Sequence, residues 1–206
     1  MNYKIDDIVI EMHCEMNLFH ELRQGHSLDV SDEYKKINNA YFRLFASSYE
    51  AMLYLQNTGH LTPSIILVRT MLELYMKSYY LEFIAKPNND DVIGYIESDN
   101  KYPKFFEMAK KLEGVKNKNG IGFDGVFEQF TKGYLKSYEI YSQFSHGKGE
   151  LLRGFYENQT ISYTPEQITD VLLTVKGLFA TLAMLFFHVQ GQEKCLQEFM
   201  KKVNLT

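Results

Sequence analysis

Apolar residues recur every three to four positions along nearly the whole chain, and no stretch of any length alternates as a strand would. Residues 5–24 carry Ile8, Met12, Phe19 and Leu22 at helical spacing and stop at Gly25. A second helix is expected from Ser31, read as its N-cap, with Asp32 and Glu33 in the first turn, where acids complement the positive end of the helix dipole. Ile37, Tyr41, Leu44, Phe45, Met52 and Leu55 carry its period to Asn57, and Gly59 suits the C-cap. The stretch 62–85 is apolar on almost every side, which predicts the central helix of a bundle. Thr62 is its expected N-cap and Pro63 its first helical residue.

Lys86-Pro87-Asn88-Asn89-Asp90 reads as a break, followed by a short helix over 92–97. Another helix begins at Tyr102-Pro103 and ends at Gly114. The glycine-rich stretch 114–125 reads as a surface connection or a lid, the connection being favoured. Asp124 is the expected cap of a helix reaching Ser145, with Phe127, Phe130, Tyr134, Tyr138, Tyr141 and Ser145 on one face. Residues 146–163 read as a loop with a short helix. Thr164-Pro165-Glu166-Gln167 is a capping box, which opens a long helix to Gln190, and a shorter helix covers 192–203. The reading is an all-α, single-domain bundle of six to eight helices over 1–206, with the helices of 5–57 as a packed extension if they are not part of it.

Composition narrows this picture. Fifteen Tyr and fifteen Phe with no Trp give an aromatic core that needs neither disulfide nor metal to fold. A net charge of −4 argues against a broad nucleic-acid footprint and leaves room for a small basic pocket. Cys14 and Cys195 are in no metal-type spacing and read as two thiols of a reducing cytoplasm. No secretory signal is read at the N-terminus. Residues 171–189 have the length of a membrane span, but Lys176, Gly177, Thr174 and Thr181 interrupt them, so they read as a core helix.

Familiar catalytic patterns are missing: there is no phosphate-binding glycine loop, no H-E-x-x-H and no repeated Glu-x-x-His. His13 and His20 share a helix face but lack a third ligand, so no metal and no cofactor are assigned. Two groups remain. Arg69 and Glu73 are one turn apart on the central helix, either as half of a site or as a plain ion pair continued by Lys77. Ser145, His146 and Gly147 end the aromatic helix, with Lys148 and Arg153 close behind, as a C-cap or as the mouth of a pocket. In the functional reading His146 is the acid–base group, Arg69 or Arg153 stabilises anionic charge, and Glu73 orients Arg69. Tyr134, Tyr138, Tyr141 and Ser145 would line the site, or the tyrosines would simply be core.

This order of residues (Arg69, Glu73, then Ser145, His146, Gly147) resembles that of bacterial helical families of unknown function over about residues 40–190. More distantly, the chain is similar to the HEPN superfamily of toxin–antitoxin and phage-defence bundles. That resemblance implies a dimer and metal-independent RNA cleavage by an arginine and a histidine. The HEPN motif, an Arg and a His with four to six residues between them, does not occur here, and at His146 and Arg153 the order is reversed. Two readings follow: a non-catalytic accessory domain binding a small molecule, a partner helix or its own copy, and an RNA-cleaving enzyme centred on His146.

Overall fold

The computed structural model describes residues 4–97, 102–116, 120, 122–130, 138–146, 149–159 and 161–203. Among them the chain is all-α: α1 (Ile5–Arg23), α2 (Glu33–Asn57), α3 (Leu61–Tyr80), α4 (Lys86–Asn88), α5 (Ile93–Glu97), α6 (Phe105–Glu113), α7 (Tyr138–Ser145), α8 (Glu150–Asn158), α9 (Pro165–Val189) and α10 (Glu193–Lys202). A π-helical turn, Leu81–Ala85, joins α3 to α4, and a 3-10 turn spans Glu128–Phe130. The only β pairing among the described residues is an isolated bridge between Lys116 and Gly122.

The core is one continuous apolar cluster to which α1, α2, α3, α6, α9 and α10 all contribute. Helix α3 is the hub and packs on α2, α6, α7 and α9. Its Val68, Met71, Leu72 and Met76 have no exposed surface. Helix α9, the stretch of membrane-span length, packs on α1, α2, α3 and α10, and 56% of its most apolar window is buried inside the fold. Its apolarity is that of a core helix.

Several helix ends differ from expectation. The N-cap of α2 is Asp32, whose carboxylate accepts from the Lys35 N–H at 2.8 Å; Ser31 instead donates its backbone N–H to Asp29. Helix α3 starts two residues early, at Leu61 with His60 as its N-cap, and the Thr62 hydroxyl is hydrogen-bonded across the bundle to the Tyr163 hydroxyl at 3.0 Å instead of capping. The expected break over 86–90 comes at its far end, at Asn89, and not at Lys86-Pro87. The Lys86 N–H donates to the Leu81 carbonyl, a widened turn placed just ahead of the residue that has no N–H to give, and the helix runs on to Asn88. It stops at Asn89, in the left-handed region at φ 57°. Asp124 caps nothing in the described turn; that role falls to Glu113, as described below. The capping box at Thr164 and Gln167 is present as read, with both bonds made.

Lys176 shows how a charge is accommodated on α9. Its ammonium meets Glu11 at 2.5 Å and Glu15 at 3.4 Å, both on α1. Burial opposes the charge on Lys176, but the bond to Glu11 and the field of Glu15 outweigh it and hold its pKa above the ordinary value. Glu15 lies on the losing side: burial pushes its carboxyl up from 4.5, Lys176 offsets this only in part, and Oε2 has no hydrogen-bond partner among the described residues. Between 4.5 and that raised value the folded state holds more protons than the unfolded, so this group's contribution to stability falls as pH rises through the window. Glu15→Gln is expected to remove that slope. Urea melts at several pH values from 4.5 to 7 check it, and an unchanged pH profile in the variant contradicts it.

Candidate functional site

The geometry of α3 sets Arg69 and Glu73 one turn apart on its half-buried side, facing α7. Their side chains are 21% and 32% exposed, too covered for a solvent stripe. The Arg69 Nε donates to Glu73 Oε1 at 3.1 Å. Lys77 does not continue the pair; its ammonium lies 5.6 Å from the ring centre of Tyr102.

Helix α7 supplies the other partners. Tyr138, at its start, and Ser145, at its end, are two turns apart, which puts them on one face. Arg69 Nη1 donates to Ser145 Oγ at 2.8 Å and meets His146 Nε2 at 2.5 Å. Arg69 Nη2 donates to the Tyr138 hydroxyl at 3.3 Å, and that hydroxyl donates to Glu73 Oε1 at 2.7 Å. The guanidinium also lies over the Tyr138 ring, 5.5 Å from its centre. Burial and the bond to Glu73 push the Tyr138 phenol above its usual pKa. It therefore stays a proton donor at neutral pH.

Hydrogen bookkeeping fixes the roles. A guanidinium only donates, so the arrangement requires His146 Nε2 to accept, with the ring proton assigned to Nδ1. Ser145 accepts from Arg69 and passes its own proton to the Ser142 carbonyl at 3.0 Å. Four of the five Arg69 hydrogens are thus engaged, and the fifth, on Nη2, has no partner among the described residues. His146 is exposed, so the Arg69–His146 contact opens to solvent while the other partners are half-covered.

The remaining sequence candidates fall elsewhere. Tyr141 is 2% exposed, so it is core; burial first, then the charge of Asp170, pushes its phenol up. Arg153 is 74% exposed on α8 and faces Glu157 at 3.9 Å, so Arg69 is the arginine that meets His146. Tyr134, Gly147 and Lys148 lie outside the described residues. His13 and His20 are exposed on α1, and no group of three metal-ligating side chains forms among the described residues.

Two contacts, one of them on a site residue, were not legible beforehand. The Phe105 ring of α6 stacks on Tyr138 with centres 4.0 Å apart and fixes the phenol's direction. The Glu113 carboxylate, at the end of α6, accepts backbone N–H groups from Gly125, Phe127 and Glu128 at 2.7, 2.5 and 2.7 Å, and so folds the turn after Asp124 against α6. A glutamate reaching twelve to fifteen residues ahead leaves no local pattern to read. No family model matches the chain, and no match is found among curated proteins or solved structures, so the role of the Arg69 cluster rests on its own geometry.

Proposed function

We propose that the protein is a non-catalytic binding domain that recognises an anionic group, of the phosphate or phosphodiester kind, at Arg69. The observation that carries this reading is the guanidinium itself, held in one orientation by Glu73, Tyr138 and Ser145 while its fourth partner, His146, is exposed. A guanidinium so fixed pays little ordering entropy on binding. An anionic oxygen can take the place of the imidazole at Nη1 and use the remaining Nη2 hydrogen as well, in the two-pronged geometry that suits arginine. The displaced His146, free of the cation, then offers a proton donor to the same ligand.

Titration calorimetry with inorganic phosphate and with a short RNA, both in EDTA, tests this. Binding to at least one, weakened tenfold or more by Arg69→Gln in a variant with native circular dichroism, is expected. Equal affinity in the variant, or no binding of either probe by the wild type, rejects it.

The 2.5 Å contact between Arg69 and His146 favours a second reading, metal-independent RNA cleavage of the type implied by the resemblance to HEPN bundles. Nε2 would take the 2′-hydroxyl proton, Arg69 would neutralise the charge growing on phosphorus, and Tyr138 would be the nearest acid. RNA cut in EDTA by the wild type and not by His146→Ala supports this reading; uncut RNA in both removes it. The same resemblance supports a place in a defence or toxin–antitoxin system.

A second copy of this chain suits the exposed face of α8, where Leu152, Phe155 and Tyr156 are 60%, 50% and 87% exposed in one i, i+3, i+4 stripe. We propose a homodimer on that basis. Sedimentation at micromolar concentration is expected to show twice the chain mass, reduced to one by Tyr156→Asp; a wild-type monomer contradicts it.

A further inference from the structure

The two cysteines lie outside the Arg69 cluster, and the fold treats them differently. Cys14 is exposed on α1, whereas Cys195 is buried at 7% exposure in the first turn of α10. The Cys195 thiol donates to the Leu22 carbonyl at 3.4 Å, at the end of α1, and its sulfur also lies 3.5 Å from His26 Nε2, in the loop that follows. His26 is exposed, and its backbone N–H is tied to the Arg23 carbonyl at 3.1 Å, so its placement beside the sulfur is built into the turn.

A thiol within reach of an imidazole has a base to receive its proton, the arrangement that activates cysteine nucleophiles. Cys195 also lies in the first turn of α10, the positive end of the helix dipole, which favours negative charge nearby. Cys195 has both features and Cys14, in the middle of α1 with no such neighbour described, has neither.

We infer that Cys195 and His26 form an oxidation site, at which a hydroperoxide converts the thiol to a sulfenic acid. The S–H rotates from the Leu22 carbonyl toward His26 Nε2 and gives its proton to that nitrogen. The sulfur attacks the terminal oxygen of the peroxide, an S–O bond forms and the O–O bond breaks. The departing alkoxide, or hydroxide when the oxidant is hydrogen peroxide, takes the proton back from His26. Cys195 loses two electrons and the peroxide is reduced to an alcohol or water. The site is distinct from Arg69 and does not depend on what binds there. Because Cys195 joins α10 to the turn after α1, a sulfenic oxygen has to be accommodated at a packed contact between the first and last helices.

The test uses the full chain at neutral pH with hydrogen peroxide and dimedone, and reads adducts at each cysteine by mass spectrometry. Cys14 is the internal reference within the same molecule. Adduct formation at Cys195 is expected to exceed that at Cys14 by about tenfold, and His26→Asn is expected to abolish the excess without lowering the melting temperature. As His26 is exposed, that variant does not threaten the fold, and Cys14→Ser removes any disulfide between the two. Labelling of Cys195 no faster than Cys14, or an excess that survives His26→Asn, overturns the inference.

Discussion

Phe19→Ala is expected to destabilise the protein by about 3–5 kcal/mol, the range for deleting a buried ring from a packed core. Phe19 of α1 is 2% exposed and its ring lies 4.7 Å from that of Phe42, 5.1 Å from Phe187, 5.3 Å from Phe186 and 6.2 Å from Phe179. It is therefore the point where α1, α2 and α9 meet, and four neighbouring rings cannot all move inward to fill the space it leaves. For a chain of this size each kcal/mol shifts the melting temperature by about 2–4 °C, so the drop is on the order of 10 °C. Phe19→Leu, which keeps most of the volume, costs about 1–2 kcal/mol on the same reasoning. Urea titration of both variants checks the ordering; a loss under 1 kcal/mol for Phe19→Ala means that the rings do collapse.

The second large effect is at the polar centre. Glu73→Ala removes the only anionic partner of Arg69 among the described residues and the acceptor of the Tyr138 proton, while Ser145, His146 and Tyr138 remain as uncharged partners. Breaking a fully buried pair from one side costs about 3–5 kcal/mol, and the partial exposure here reduces that to about 2–3. Replacing both partners by leucine is expected to cost less than Glu73→Ala alone, because no unpaired charge is left behind. A double-mutant cycle on Arg69 and Glu73, followed by thermal melts, measures the coupling. An unchanged melting temperature in Glu73→Ala shows that solvent already satisfies the arginine. Together with the calorimetry on Arg69→Gln, this separates what the cluster contributes to folding from what it contributes to binding.

How far the sequence carried depends on the range of each interaction. The Thr164 and Gln167 capping box was legible because every group involved lies within four residues. The apolar faces of α1, α2, α3 and α9 were legible because burial repeats with the helical period. The α2 cap was misplaced by one residue, since Ser31 and Asp32 are both good caps and only Asp32 has the geometry. Thr62 looked like a cap and is not one, because Tyr163, a hundred residues later, competes for its hydroxyl. Pro87 looked like a helix breaker, and a single widened turn ahead of it was enough to keep the helix. In the candidate site, the i,i+4 spacing announced Arg69 and Glu73, whereas Ser145 and His146 entered only through the functional reading, since no local pattern ties residues 76 and 77 positions away to an arginine or chooses Arg69 over Arg153. Nor did spacing separate Tyr138, which touches Arg69, from Tyr141, one turn on and in the core.

The packing of α1 against α9 and α10 has a consequence for the order in which the protein can be completed during synthesis. The Gln190 side chain, at the end of α9, accepts from the Asp29 N–H at 2.7 Å and donates to the Asp29 carbonyl at 3.3 Å, a clasp between positions 161 residues apart. At about 5–20 residues per second, α1 leaves the ribosome on the order of ten seconds or more before the helices that cover it. Throughout that interval Phe19 has Phe42 of α2 beside it but lacks the Phe179, Phe186 and Phe187 rings of α9 that complete its burial. The nascent N-terminal helix is therefore a natural client for a chaperone, and chains truncated before α9 are expected to be cleared or to aggregate.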